Sequence, residues 1–150
     1  PLSNPAMTTY LLKTEPSVYS YADLVRDKRT VWDGVTNNTA LIHLRAVRKG
    51  DRAMIYHTGD ERRIVGLARA LTDAYEDPKN PGRNAAGLPK LAVFDLAPVA
   101  AAKTPLSLEE MKADERFAGF DLLRLPRLSV MPVPPEIDRI IRKLTGLPAD

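Results

Sequence analysis

Apolar residues along this chain come in short blocks, each closed by proline, glycine or a helix-capping side chain. Thr9–Lys13 is apolar and β-leaning, and Pro16 halts it, because proline has no N–H to give to a sheet ladder. Ser20 followed by Asp23 has the form of a helix N-terminus and leads into Ala22, Leu24 and Val25. Thr30–Trp32 predicts a short strand running into an Asp33-Gly34 turn. Asn38 is expected to cap a second helix, with Leu41, Leu44 and Val47 at helical spacing and Gly50 as its stop. Arg52–His57 and Arg63–Ala74 predict two strands joined in a hairpin through Thr58-Gly59-Asp60-Glu61.

Residues 76–90 carry three prolines and two glycines with almost no apolar anchor, and are expected to form a mobile loop. Leu91–Val99 resumes a strand, and Ser107 with Glu110 makes a second capping box ahead of Leu108 and Met111. Leu128–Val133 predicts a strand ended by Pro134-Pro135, and a closing helix over Glu136–Leu144 holds Ile137, Ile140, Ile141 and Leu144 on one face. Six short strands with three or four helices between them predict an α+β class, mainly β. The strands outnumber what βαβ units supply and no glycine-rich phosphate loop follows one, so a mixed, mostly antiparallel barrel decorated with helices fits best. One domain is expected over 9–150, after a flexible leader at 1–8.

Composition narrows the chemistry. At 150 residues, 44% hydrophobic and 27% charged, the chain is long enough to bury a core and is compositionally globular. No apolar run reaches the length of a membrane helix. The absence of cysteine removes disulfides, thiolate catalysis and cysteine-ligated zinc together. Only His43 and His57 are available, so a histidine-rich metal centre is not expected, which leaves carboxylate-bound Mg²⁺ as the open alternative; no metal or cofactor residue is assigned. The leader lacks the charged-then-apolar order of a signal peptide, which sets the expectation of a cytoplasmic protein. Net charge is +3, and the excess lies in the first half, concentrated at Arg26, Lys28, Arg29, Arg45, Arg48, Lys49 and Arg52. Such a stretch suits an anionic partner, and Arg45, Arg48 and Lys49 are the candidates for contacts to phosphate.

No GxSxG, HExxH, phosphate-loop or paired-histidine motif occurs, so no catalytic residues are assigned. Three clusters at predicted strand ends remain: Lys13-Thr14-Glu15-Pro16, Trp32-Asp33-Gly34-Val35 followed by Asn37, and Tyr56-His57-Thr58. A lone tryptophan is more often core than platform. Together, however, the clusters supply an aromatic face, amide and hydroxyl groups and a cation, the equipment for holding one flat base by stacking and edge hydrogen bonds.

The same residues carry a family resemblance. YLLKTEP at 10–16, TVWDGV at 30–35 with Asn37, KGD at 49–51, YHT at 56–58, IVG at 64–66, PLSL at 105–108 and RLSVMPV at 127–133 occur in the order seen in the EVE domain family. The likeness runs from Thr9 to about Ile141. It implies a PUA-like mixed pseudo-barrel of about six strands with peripheral helices, related to the YTH and ASCH domains. It also implies a non-enzymatic reader of a modified base, methylated or otherwise altered cytosine or adenine, with modified DNA or RNA, or a modified nucleotide, as partner. Lys13, Thr14 and Trp32 resemble pocket residues of the YTH relatives. Val35, Asn37, Tyr56, His57 and Thr58 come from the EVE motifs. The chain has Thr36, Asn38 and Met131 where the family often has arginine, an aromatic residue and glutamine, differences that bear on the base recognised rather than on the fold. The alternative is a small amidohydrolase similar to some ASCH relatives, acting on an acylated nucleoside through Lys13, Thr14 and Glu15. That reading needs the chain to turn sharply at Pro16, because adjacent strand residues point to opposite faces.

Overall fold

A computed structural model describes residues 7–149. In chain order the elements are β1 (Thr9–Thr14), α1 (Tyr21–Asp27), β2 (Thr30–Trp32), α2 (Asn38–Arg45), β3 (Arg52–His57), β4 (Arg63–Ala70), β5 (Tyr75–Glu76) and β6 (Ala92–Ser107). Then follow α3 (Leu108–Lys112), a 3-10 turn (Glu115–Phe117), α4 (Asp121–Arg124), β7 (Val130–Val133) and α5 (Pro135–Thr145). Strands pair in the order β2-β6-β4-β3-β1-β7, with the two-residue β5 beside β6. All pairings are antiparallel except β1 with β3, where Thr9 faces Arg52 and Thr14 faces His57. A parallel pair needs a crossover, and α1, β2 and α2 supply it. The sheet curls without closing: β2 and β7 are its free ends, and α2 packs against both β6 and β7 across the gap.

The core lies inside this curl. Leu11, Leu12, Met54, Ile55, Ile64, Leu67 and Leu96 are fully buried, with Leu24, Leu41, Leu44, Phe117 and Phe120 packed in from the helices. β1 and β3, the parallel pair at the heart of the sheet, are buried almost along their whole length. α5 is fixed over β1 by a buried network: Thr9 Oγ1 donates to Asp138 at 2.6 Å, and Arg142 bonds both Asp138 (2.6 Å) and Thr9 (3.2 Å).

Capping boxes form at Ser20/Asp23 and Ser107/Glu110, where local spacing alone places them. The cap of α2 is Asn37 rather than Asn38: its side chain accepts from Ala40 N at 3.0 Å. That helix also stops at Arg45, and Gly50 (φ 94°) serves the turn into β3 instead. β4 ends at Ala70, short of Ala74. β6 continues past Val99 to Ser107 despite Pro98 and Pro105, because β4 templates it. The register slips between Ile64 and Gly66, leaving residues 102–105 without a direct partner, which is where a proline is tolerated.

The 76–90 segment is not the unanchored loop its composition predicts. Asp77 is buried and accepts from Lys79 N (2.9 Å) and Asn80 Nδ2 (3.0 Å), and Asn84 Oδ1 accepts from Ala86 and Leu88 N–H. Arg83 pairs with Glu76, and Arg45 donates to the carbonyls of Pro89 (2.7 Å) and Lys90 (3.1 Å). Polar side chains do the anchoring that apolar ones do elsewhere. Of the expected leader, residues 1–6 lie outside the described residues. Thr8 is already tied to the domain, its N–H donating to Asp51 and its carbonyl accepting from Arg52 N.

Candidate functional site

The open seam of the curled sheet holds a cavity of ≈ 590 Å³, within the range of small-ligand sites. One wall comes from Lys13, Thr14 and the turn after β1, the facing wall from β2 and residues 33–37, and Ser129 completes it ahead of β7. Of the residues singled out from the sequence, Lys13, Thr14, Trp32, Val35 and Asn37 are brought together here.

Each is held by a specific bond. Thr14 Oγ1 donates to Tyr19 O at 2.6 Å, closing the 15–19 turn. Within that turn Val18 and Tyr19 N–H both donate to Glu15 O at 2.9 Å. Lys13 Nζ donates to Pro126 O at 2.8 Å and lies 5.8 Å from the centre of the Tyr56 ring, a cation–π contact. Burial pushes the Lys13 amine below the ordinary lysine range. Trp32 pairs with Phe94 through β2–β6 and is only 8% exposed, so it shows the cavity one part of its surface. Its indole N–H meets no protein acceptor among the described residues. Beyond it, Gly34 (φ 79°) turns the chain in open space, which leaves the mouth clear. At Asn37 the cap takes Oδ1, and Nδ2 remains as a donor at the cavity wall.

Tyr56, His57 and Thr58 do not line this cavity. Tyr56 is 3% exposed and lies beneath Lys13. His57 is a structural residue: Nε2 accepts from Tyr21 N (3.0 Å), satisfying one of the free N–H groups at the start of α1. The proton therefore sits on Nδ1, which donates to Glu61 at 2.9 Å. That bond pulls the Glu61 carboxyl below its usual range. Thr58 bonds back to Thr14 O through its N–H at 2.9 Å. A strand-end position fixes where these residues stand but not which way they point.

The basic stretch lies elsewhere. Arg45 and Arg48 line a separate depression with Tyr75, Glu76 and Arg83, about 12 Å along α2 from Asn37 at 1.5 Å rise per residue. Arg48 also donates to Arg45 O and Val47 O, and Lys49 is exposed, its N–H donating to Asp73. The wall also takes in Val18 and Tyr19, brought there by the 15–19 turn, Ser129, brought by the approach of β7, and Thr36, one of the positions where the chain departs from the family. Met131 is fully buried in β7, paired with Leu11, and is core rather than cavity wall.

Lys13, Thr14 and Glu15 all face the cavity, yet their polar atoms engage three separate partners. Lys13 reaches Pro126 O, Thr14 reaches Tyr19 O, and Glu15 accepts from Ser17 N and Oγ at 3.2 Å. No hydrogen bond links any two of the three among the described residues. No group of three or more His, Asp or Glu stands where it could hold a metal ion, again among the described residues. No helix among them is long and apolar enough to cross a membrane.

Comparison with known proteins bears on the fold and the family. The chain is similar to thymocyte nuclear protein 1 of the rat, 29% identical over 85% of this chain and 69% of that protein. The mouse protein of the same name is 30% identical over the same shares. Among solved structures, Rpa0253 from Rhodopseudomonas palustris superposes with a TM-score of 0.84 at 36% identity, covering 96% of this chain and 97% of that one. The human THYN1 protein, solved in complex with DNA containing 5-methylcytosine, gives 0.81 at 27% identity over 95% and 99%. An ASCH protein from Zymomonas mobilis, at 15% identity and a TM-score of 0.59 over 91% and 95%, shares the PUA-like fold alone. The model of the EVE domain matches residues 8–144, and the chain belongs to that family.

Proposed function

We propose that this domain binds a modified base of nucleic acid in the Trp32 cavity and does no chemistry on it. The observation that carries the reading is the cavity itself: an indole surface, a neutral amide donor at Asn37 and a cation at Lys13 converge on ≈ 590 Å³. An aromatic surface holds any base, and an amide donor with a lysine selects for acceptors on the base edge. A methyl group on that base displaces water from an apolar corner, worth about 0.8 kcal/mol, or roughly fourfold in affinity. The separate engagement of Lys13, Thr14 and Glu15 supports binding over hydrolysis. The complex of the human relative makes 5-methylcytosine in DNA the first ligand to test.

The test is a titration of short single strands, DNA and RNA, with cytosine or 5-methylcytosine at one position. The methylated strand should bind about fourfold more tightly. Asn37→Asp separates fold from recognition, because aspartate caps a helix as well as asparagine but has no amide donor. That variant should melt like the parent and bind about tenfold more weakly, the loss of roughly one hydrogen bond of 1.4 kcal/mol. Failure of every modified strand to bind, or unchanged binding by Asn37→Asp, overturns the proposal.

A further inference from the structure

We propose that the depression next to the Trp32 cavity is a second subsite, which takes the nucleotide adjoining the recognised base on a single strand. The inference rests on the base-binding reading above and goes beyond it. This depression, ≈ 310 Å³, is built from Asn37 and Thr39 on one side and Leu125, Pro126, Arg127 and Leu128 on the other. Asn37 is a wall of both cavities, so a strand with one base beside Trp32 has its next nucleotide within reach of this surface.

Three observations fit a nucleotide there. The surface is mainly apolar, formed by half-buried Leu125, exposed Pro126 and the edge of Leu128, and offers a flat face to a base or sugar. Arg127 is exposed and its guanidinium meets no protein acceptor among the described residues, whereas Arg26, Arg29, Arg116 and Arg124 are each paired with an aspartate. A free guanidinium is suited to a phosphate. The floor is also preformed: Leu128 N donates to Leu125 O (3.0 Å), Lys13 N to Ser129 O (3.0 Å) and Lys13 Nζ to Pro126 O (2.8 Å). Lys13 thereby ties the two subsites into one rigid unit.

Charge gives the direction. Around the mouth of the Trp32 cavity the carboxylates are Glu15 and Asp33, which repel a phosphate. Arg127 stands on the other side, past Asn37, so the backbone leaves the cavity toward it.

The experiment compares 5-methyl-2′-deoxycytidine with a trinucleotide carrying 5-methylcytosine at its centre, against the parent, Arg127→Ala and Thr39→Glu. Thr39 is exposed in the first turn of α2, where a glutamate favours the helix, so this variant keeps the fold while setting a negative charge beside the subsite. The parent should bind the trinucleotide more tightly than the nucleoside. Both variants should lose about tenfold on the trinucleotide and nothing on the nucleoside, and Arg127→Ala should lower the log–log salt slope by about 0.7. Equal trinucleotide affinity in all three proteins overturns the subsite, as does a loss that falls equally on the nucleoside. A parent that binds neither ligand overturns instead the base-binding reading, a failure visible without any variant.

Discussion

Asp95 in β6 shows how far one side chain can reach in this fold. Its carboxylate accepts from Tyr75 Oη and from Arg29, while its own N–H donates to Thr72 Oγ1, so the approaches to β2 and β5 are both tied to β6. The Tyr75 bond, more than any other influence, draws the Asp95 carboxyl below its ordinary range. Tyr75 moves the other way: burial first, then the bond to Asp95, push its phenol up to about 12. A phenol raised in the folded state stabilises it fully below the unfolded value of 10.0 and loses that stabilisation as pH climbs toward about 12. A lowered carboxyl does the reverse and loses its contribution as pH falls below the ordinary carboxylate value. Tyr75→Phe should therefore flatten the alkaline limb of a stability–pH profile between about 10 and 12, and make the acid limb shallower. Chemical denaturation at stepped pH measures both. An alkaline limb unchanged in the variant contradicts the assignment to Tyr75.

At the scale of elements, the seating of α1 on the sheet decides more than the helix's own short length. Tyr21 hangs from its first turn and donates to Leu67 O at 2.7 Å, with its ring lying over Gly66. A Cβ at residue 66 would stand 2.5 Å from that ring, which cannot retreat without losing its bond. Gly66→Ala should destabilise by about 1–3 kcal/mol, seen as a drop in Tm of about 2–4 °C for each kcal/mol. A melting curve matching the parent would show that the ring yields freely. The capping boxes and the short strands β1, β2, β3 and β7 were legible in the sequence, because both depend on residues a few positions apart, whereas the two-residue β5 was not. The later half of β6 was not, since alanines and prolines become a strand there only through pairing with β4. The site divides in the same way. Lys13, Thr14, Trp32, Val35 and Asn37 stand in segments where a strand runs directly into a turn, and such segments border the seam. His57 looks identical in sequence, but α1 returns onto it and takes its ring as a partner. Ser129 stands in the 127–133 motif, but nothing local marks it for the cavity, because it arrives there only after the last strand docks beside the first.

For the molecule as a whole, α2 joins distant parts: its N-terminal cap borders the candidate site and its last residue, Arg45, holds the 76–90 segment. Arg45→Ala removes two bonds to carbonyls and should speed tryptic cleavage at Lys79, Arg83 or Lys90 about tenfold, the equivalent of roughly 1.4 kcal/mol of easier opening. An unchanged cleavage rate would mean that the Asp77 and Asn84 bonds suffice alone. The order of strands also sets a timetable for the growing chain. β1 is made before the other described strands, yet it is an inner strand, flanked by β3 on one edge and by β7 on the other. Until residues 130–133 have been synthesised, one edge of this largely buried strand is unpaired and able to recruit another chain. The seam cavity also lacks Ser129 and the Pro126 carbonyl that steadies Lys13 until that point. A nascent copy of this protein therefore gains the partner for the open edge of β1 and the last wall of its seam cavity in one step, when β7 docks.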